Sequence, residues 1–281
     1  MPADGLEKDR SCGYNLVRRW MALNDRPVGV FDSGLGGISV LGEALRVLPK
    51  ENFVYFGDTQ NIPYGDKPPE LVLRYTHQAV DRLIAHGCKA IVIACNTATS
   101  VAAGALRQEL HMPIIGMEPA LKPASLLPGD GHVLVMATQV TLSRPKFQSL
   151  MALYGRNAIP LPCPGLMECV EAGELEGPRV ERVLSALLAP YRGTPIKAVV
   201  LGCTHYPFLR RAIAGFFAPG TPLIDGNLGT AMQLGRRLAQ EGLESPGPGG
   251  RVTFLSSLEG AEPVTRMQHM LELWRAAGGN G

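Results

Sequence analysis

The sequence predicts an α/β protein with two similar open-sheet domains and an active site in the cleft between them, and two observations support this. Short apolar runs such as PVGVF, KAIVIA and KAVVLG alternate with stretches of helical periodicity, as in parallel sheets covered by helices. The segment KAIVIACNTA, residues 89–98, also aligns with KAVVLGCTHY, residues 197–206. Neighbouring apolar runs recur in step around this alignment, which implies two units of four strands each.

The order of the elements predicts the domain boundaries. In the first unit the runs PVGVF, FVYF, KAIVIA and PIIGM are expected strands, and in the second unit HVLVM, KAVVLG and TPLID. A last strand, VTFLSS, and a last amphipathic helix follow a turn-rich connection and are expected to return to the first unit. We therefore expect one domain at 27–119 plus 226–281, a second at 120–225, and a mobile extension at 1–26.

Composition excludes several classes of function. The chain has 281 residues, 46% of them hydrophobic and 19% charged, which is typical of a folded enzyme. Its 27 basic and 25 acidic residues form no long run of one sign, so neither nucleic acid nor a membrane surface is an expected partner. No apolar stretch reaches the roughly 18 residues of a spanning helix, and the first twenty residues lack a signal-like apolar region. We expect a cytoplasmic protein.

The cysteines are the most chemically reactive side chains in this sequence. The six are spread along the chain without a CxxC pair, which argues against a disulfide framework or a zinc ribbon and predicts free thiols in a reducing compartment. They are Cys12, Cys88, Cys95, Cys163, Cys169 and Cys203. Most free cysteines are small buried hydrophobes, so only those with a special context are candidates for chemistry.

Cys95 and Cys203 have such a context, because each ends a predicted strand and opens a predicted helix. Ligands in open α/β sheets bind outside the carboxyl ends of the strands, and a helix N-terminus is expected to lower the pKa of a thiol. Hydrogen-bonding side chains follow each cysteine: Asn96, Thr97 and Thr99 after the first, Thr204 and His205 after the second. The alternative is that Thr97 and Thr204 only cap helices.

Two thiols that converge on one cleft suit an exchange of an α-proton. Racemisation removes a proton from one face of a tetrahedral carbon and delivers another to the opposite face, so two acid/base groups are needed. Asp32 ends the first strand, and Glu171 and His205 lie in the second unit, where they could set which thiol is ionised. From the sequence alone Asp32 is as often a turn residue, and Glu171 reads more readily as a solvated helix face.

The glycine-rich turn FDSGLGGISV, at 31–40, has two interpretations. It resembles a dinucleotide-binding loop, with Asp58 at the end of the next strand as the ribose ligand. However, Ser39 replaces the third glycine, and Asp32 would place a negative charge beside the pyrophosphate. The turn better suits a small ligand whose ammonium meets Asp32 and whose carboxylate meets Ser33 and backbone N–H groups.

Five motifs in order carry a resemblance to a known family. They are DSGLGG (32–37), DTQNIPYGDK (58–67), ACNTATS (94–100), IIGMEPA (114–120) and GCTHYP (202–207). Together they resemble the glutamate racemases of the aspartate/glutamate racemase superfamily over about residues 27–231. The resemblance implies that the two-domain enzyme needs no metal, pyridoxal phosphate, flavin or other cofactor, and that its product is D-glutamate for peptidoglycan. Racemases for aspartate or hydantoins share the two-cysteine logic and stay an alternative.

The resemblance also assigns roles to particular residues. Cys95 and Cys203 become the two catalytic acid/base groups, with Asp32 assisting the first and His205 and Glu171 assisting the second. Substrate binding falls to eight residues: Asp32, Ser33, Tyr64, Gly65, Asn96, Thr97, Thr204 and His205. Glutamate is then the small-molecule partner, and a homodimer is expected. Some members of the family are DNA gyrase inhibitors, which makes gyrase binding a second candidate function, although this sequence shows no basic or aromatic cluster for it.

Several positions depart from the family pattern. Arg144 and Phe147 replace the usual serine and tyrosine, Glu168 stands where proline is common, and Gly226 alters a turn that reads DGN. We expect these changes to leave the chemistry intact and to affect oligomer contacts or regulation. The remaining cysteines (Cys12, Cys88, Cys163 and Cys169) are expected to be structural or incidental.

Overall fold

A computed structural model describes residues 24–278, and its strands form two separate parallel sheets. The first sheet contains β1 (Val28–Asp32), β2 (Phe53–Gly57), β3 (Ala90–Ile93), β4 (Ile114–Gly116) and β9 (Val252–Ser256). The second contains β5 (His132–Ala137), β6 (Ala158–Pro162), β7 (Ile196–Leu201) and β8 (Leu223–Ile224). Every pairing in both sheets is parallel, so the predicted fold class is confirmed.

The strand orders reveal the internal repeat. The first sheet runs β4-β3-β1-β2-β9, and the second, taken from its other edge, runs β8-β7-β5-β6. The first four strands of each unit therefore occupy equivalent places, and β9 extends the first sheet beyond β2. Consequently β3 and β7, which precede Cys95 and Cys203, hold the same position in their sheets.

Eleven helices are assigned within the described residues. They are α1 (Ile38–Val47), α2 (Pro69–Ala85), α3 (Asn96–Glu109), α4 (Leu121–Ser125), α5 (Gln139–Ser143), α6 (Pro145–Tyr154), α7 (Leu166–Glu171), α8 (Pro178–Leu188), α9 (Arg210–Ala214), α10 (Asn227–Gln240) and α11 (Glu262–Ala276). Short 3₁₀ turns lie at Thr59–Asn61, Tyr64–Asp66, Ala189–Tyr191 and Tyr206–Leu209. Proline begins α2, α6 and α8, where its missing N–H costs no hydrogen bond. Within residues 24–278 no helix is long and apolar enough to cross a membrane.

Burial explains why the central strands read as continuous apolar runs. Every residue of β1, β2 and β3 is buried, because helices cover both faces of the sheet. The second unit buries β5 and β7 in the same way, apart from their first residues. Such strands cannot tolerate polar side chains until they end, so the first polar groups appear at the carboxyl edge of each sheet.

The first and last of the described segments both pack on the first unit. As the sequence suggested, β9 pairs with β2, and α10 and α11 lie against α1. Residues 1–23 of the expected N-terminal extension lie outside the described residues. Its last part departs from the prediction, because Asn24 is buried and its amide donates to the Gly242 carbonyl at 2.7 Å. Lys89 also donates to the Asn24 carbonyl, so the chain is anchored from residue 24 onward.

Candidate active site

A cavity of about 170 Å³ lies at the carboxyl ends of the strands, between the two units. This volume is well below the roughly 300–1,000 Å³ of pockets for drug-sized ligands, so the cavity suits a small metabolite. Seven of the eight residues predicted to bind substrate line it, together with both cysteines: Ser33, Tyr64, Gly65, Cys95, Asn96, Thr97, Cys203, Thr204 and His205. The exception is Asp32.

Cys95 forms the N-cap of helix α3, directly after strand β3. Its Sγ accepts hydrogen bonds from the Ala98 N–H at 3.5 Å and from the Ser33 hydroxyl at 3.6 Å. The predicted direction of its pKa shift is nevertheless wrong for this state of the site. Burial, reinforced by the negative charge of Asp32, raises the pKa of Cys95 to about 12, and the two hydrogen bonds only partly oppose this.

Cys203 has a different setting from the one that its sequence context suggested. It follows β7 but does not cap an α-helix, because Tyr206 donates to its carbonyl in a turn and only the 3₁₀ turn Tyr206–Leu209 follows. Pro207 in this turn and the short α9 leave no helix N-terminus at the thiol. The partner of its Sγ is instead His205 Nδ1, at 3.6 Å.

His205 links Cys203 to the partly buried carboxylate of Glu171. Its Nε2 contacts Glu171 Oε1 at 2.7 Å, and the same oxygen accepts the Leu35 N–H at 2.7 Å. Burial alone would lower the pKa of His205, but its hydrogen bonds to Cys203 and Glu171 outweigh burial and raise the pKa well above its ordinary value. The predicted helpers of Cys203 therefore form a connected chain, Glu171 to His205 to Cys203, in which His205 carries a positive charge.

Asp32 lies behind the cavity wall rather than on it. Its carboxylate accepts hydrogen bonds from the Thr204 hydroxyl and the Gly34 N–H, both at 3.0 Å, and its side chain is completely buried. Burial raises its pKa to about 6, although the nearby charge of His205 pulls it down. The structure thus brings Asp32 next to Thr204 and into electrostatic contact with Cys95, but it does not expose Asp32 to a ligand in the cavity.

Side chains of the second unit lie directly against the glycine-rich turn. A Cβ added at Gly34 would come within 2.2 Å of Glu171 Oε1, and one at Gly36 within 2.5 Å of both His205 Nδ1 and Thr204 Oγ1. Ser39, which replaces the third glycine of a dinucleotide loop, donates to the Thr204 carbonyl at 3.0 Å. The glycines therefore make room for Glu171 and His205, and the dinucleotide interpretation is wrong because the turn is already covered.

Neither threonine beside the cysteines caps a helix, contrary to the simpler alternative. Thr97 Oγ1 meets Thr138 Oγ1 at 3.0 Å and Thr141 Oγ1 at 3.3 Å, which joins the two units, and Thr204 binds Asp32. The Asn96 side chain is buried on the cavity wall, and neither its oxygen nor its nitrogen finds a hydrogen-bond partner in the part of the chain that the structure describes. Such a group is expected to be satisfied by a ligand.

Tyr64 and Gly65 lie on the wall that faces the second unit. The Tyr64 hydroxyl donates to Asp58 Oδ2 at 2.6 Å, so this hydroxyl is already engaged. A Cβ on Gly65 would lie 3.1 Å from Thr138, which shows how closely the two units approach there. Asp58, considered above as a ribose ligand, serves Tyr64 instead.

Sequence reasoning missed several residues of the cavity wall. Thr138, Gln139, Cys163, Met167 and Glu168 all line it. The spacing of Thr138 and Thr141 is a helix-capping pattern that could have located Thr138, and the Thr138 hydroxyl does accept the Thr141 N–H. For Cys163, expected to be incidental, nothing in the local pattern points to the cavity.

The departures from the family pattern have different surroundings. Phe147 is buried in the apolar core of the second unit, whereas Glu168 is exposed at the cavity mouth. Gly226 caps α10, and a Cβ there would lie 3.0 Å from the Glu118 carbonyl. For the partly buried Arg144, at the start of α6, the structure offers no explanation. Among residues 24–278, no group of three or more His, Cys, Asp or Glu side chains could hold a metal ion.

One thiol from each of two similar sheets lies on the wall of one small cavity, which is the arrangement that a two-base isomerase would require. Comparison with known proteins identifies the family. The profile of the Asp/Glu/Hydantoin racemase family matches residues 54–234. The glutamate racemase of Clostridium perfringens is 47% identical over 255 residues, which cover 89% of this chain and 98% of that protein. The chain belongs to the Asp/Glu/hydantoin racemase family.

Solved structures agree with this assignment. The crystal structure of Thermus thermophilus glutamate racemase in complex with β-chloro-D-alanine has a TM-score of 0.74 and 36% identity, with 88% of this chain and 93% of that chain covered. Escherichia coli glutamate racemase, in complex with L-glutamate and the activator UDP-MurNAc-Ala, has a TM-score of 0.77 and 29% identity, covering 87% and 95%. The whole two-sheet architecture is thus shared.

Proposed function

We propose that this chain is a glutamate racemase that interconverts L- and D-glutamate through Cys95 and Cys203. The family and the glutamate racemases named above support the activity and the substrate. For the mechanism, the single most important observation is that the two thiols come from equivalent strands of two sheets and line the same cavity. Each thiol has its own hydrogen-bonding partners, Ala98 and Ser33 for Cys95 and His205 for Cys203.

The two thiols differ in the groups that surround them. His205 Nδ1 contacts Cys203 Sγ, and the hydrogen bonds of His205 to Cys203 and Glu171 raise the pKa of His205 well above its ordinary value. The raised pKa of Cys95 keeps that side chain a neutral thiol. Proton exchange across two faces requires one base and one acid, and we assign the base in this direction to Cys203, which lies beside His205, and the acid to Cys95.

In each turnover one thiol of this pair accepts a proton and the other donates one. For the enantiomer whose α-hydrogen faces Cys203, the Cys203 thiolate takes the α-proton and Cys95 delivers its own proton to the opposite face. The product leaves Cys203 as a thiol and Cys95 as a thiolate, so the enzyme is ready for the reverse reaction or for proton exchange with solvent. The Ala98 N–H and the Ser33 hydroxyl stabilise the Cys95 thiolate in that state.

The α-proton of an amino acid is a weak acid, so the site must stabilise negative charge on the substrate. We assign the binding of a substrate carboxylate to the Asn96 amide and the Thr97 hydroxyl, because both line the cavity and the Asn96 amide has no partner among the described residues. Ser33 and Thr204 are further polar residues on the wall. Asp32 contributes through Thr204 and through its charge, since its carboxylate does not reach the cavity.

The wider role follows from the product. We infer that D-glutamate is supplied for peptidoglycan, and that the enzyme is a homodimer. Leu126 and Leu153, on the second unit, are 71% and 75% exposed, which suits an interface and is testable by sedimentation. Binding to DNA gyrase is less favoured, because no observation on the described residues supports it.

A circular-dichroism time course tests the proposal. Purified protein is mixed with L-glutamate or D-glutamate, and the ellipticity of the free amino acid should decay to zero from both sides. L-Aspartate and a hydantoin serve as matched substrates and should react far more slowly. Absence of turnover with both glutamate enantiomers overturns the proposed activity. Faster turnover of aspartate than of glutamate would mean that the chain is an aspartate racemase instead.

A further inference from the structure

Residues 58–67 form an irregular segment that supplies one wall of the cavity. Two 3₁₀ turns, Thr59–Asn61 and Tyr64–Asp66, are its only regular structure. Five successive residues, Ile62 to Asp66, line the cavity. Because such a segment lacks the hydrogen-bond ladder of a helix or sheet, side chains must hold it in place.

Asp58 is the residue that holds this segment. Its carboxylate is buried, accepts the Tyr64 hydroxyl at 2.6 Å, and receives the Asn61 amide at 3.0 Å on each oxygen. Its own N–H donates to the Asp32 carbonyl at 3.0 Å, and Asp32 lies directly behind the wall of the cavity. A buried carboxylate is costly unless its oxygens are hydrogen-bonded, so these contacts strongly constrain where Tyr64 lies.

Tyr64 transmits this constraint to the cavity. The ring is 1% exposed and packs between Phe31 and Tyr75, with ring centroids 6.1 and 6.0 Å away. Burial and the neighbouring Asp58 raise the pKa of Tyr64, so its hydroxyl stays protonated and donates to Asp58. The next residue, Gly65, meets Thr138 of the second unit. The segment is therefore held at Asp58 and closes against the second unit at Gly65.

We propose that Asp58 is a positioning residue for substrate binding, which acts through Tyr64 to fix Ile62 to Asp66 as the wall of the cavity. This inference rests on the proposed function, because the ligand that the wall receives is glutamate. Asp58 does not touch the reacting atoms, so its loss should weaken substrate binding much more than it slows proton transfer.

The test compares Asp58→Ala, Tyr64→Phe and the double variant with the wild type. Each single variant loses the charge-assisted hydrogen bond that holds Tyr64, so KM for glutamate should rise about tenfold or more. The turnover number should fall less than about threefold, since both thiols and the His205 pair remain. The double variant should be no worse than the more severe single variant, because both changes remove the same contact.

Matched controls separate this role from a general structural one. Tyr75→Phe removes a hydroxyl from the neighbouring ring, and Asp81→Asn removes an exposed carboxylate on α2; both should retain the wild-type KM. Calorimetric titration with racemic glutamate gives an apparent dissociation constant for the mixture, and racemisation adds no heat because the free enantiomers have equal enthalpies. An unchanged KM and dissociation constant in folded Asp58→Ala, or additive effects in the double variant, overturn the role of Asp58. An inactive wild type instead overturns the proposed function.

Discussion

The two thiols hold equivalent places in two similar sheets, yet their surroundings differ. Cys95 caps the fourteen-residue helix α3 and is supported by backbone N–H and a hydroxyl. Cys203 has no helix behind it and relies on the His205–Glu171 pair. The repeated fold therefore fixes where the two thiols lie, while the side chains that contact each thiol differ between the two units. The proposed reaction is symmetric, but the pair of thiols proposed to carry it is not.

Removal of either thiol should have the largest effect. Cys95→Ala and Cys203→Ala should each lower racemisation by about 10²–10⁴-fold or more, because one face of the α-carbon then lacks its acid/base group. Initial rates from circular dichroism measure the loss. Cys88→Ala is the matched control, since Cys88 is buried in the core of the first unit and away from the cavity. Near-normal turnover in a folded single variant contradicts the pairing.

Loss of the Glu171–His205 support for Cys203 should have the second-largest effect on activity. Glu171→Gln keeps the shape of the side chain but removes the charge that sustains a cationic His205. We expect kcat to fall by about 10–10³-fold and the pH optimum to move down, because His205 then loses its proton at lower pH. Glu174→Gln, in the following loop, serves as the control. Unaltered pH dependence in Glu171→Gln is the result that argues against the relay.

The raised pKa of Asp32 should make the free energy of unfolding depend on pH. Its pKa is about 6 in the folded protein and 3.8 in an ordinary setting, so the ionised carboxylate opposes folding, fully above pH 6 and not at all below pH 4. The free energy of unfolding of Asp32→Asn, relative to the wild type, should therefore increase by about 1–3 kcal/mol as pH rises from 4 to 7. Urea titrations at several pH values measure this slope, and a flat difference contradicts it.

A charge-removing substitution at the cavity mouth should have the smallest effect on activity. Asp66 and Glu168 are exposed on its rim, and His205 is the only cationic side chain among the described lining residues. An anionic substrate therefore approaches two carboxylates. Glu168→Gln should raise kcat/KM about two- to threefold at low salt, and the gain should disappear near 1 M salt. Glu176→Gln is the exposed control, and a lower kcat/KM in Glu168→Gln contradicts the electrostatic account.

The local sequence pattern was sufficient to predict some features of the fold and the site, and insufficient for others. The two cysteines and the parallel sheets were predictable, because buried parallel strands are continuously apolar and their first polar residues stand at the carboxyl edge. The last strand was expected to return to the first unit, and β9 pairs with β2. These conclusions depend on periodicity and on alignment of the chain with itself, which a single sequence contains.

Features that depend on contacts between the units were not predictable from the residues alone. Glu171 looked like a solvated position, and only the approach of Gly34 to its carboxylate shows that it is held at the site. The helix-terminus argument gave the wrong direction for the pKa of Cys95, because burial outweighs two hydrogen bonds. Cys203 was expected to cap a helix, but Pro207 and a 3₁₀ turn follow it. Desolvation and close approach are properties of the folded chain.

The most direct test of the two-thiol account is the fate of the α-hydrogen in heavy water. When L-glutamate is turned over briefly, the D-glutamate formed should carry deuterium, because the opposite thiol has equilibrated with solvent before it donates. The remaining L-glutamate should stay protiated, and the pattern should be mirrored when D-glutamate is the substrate. Product that retains the substrate's own hydrogen, or deuterium that enters the remaining substrate as fast as the product, would mean a single base and would contradict the pairing of Cys95 with Cys203.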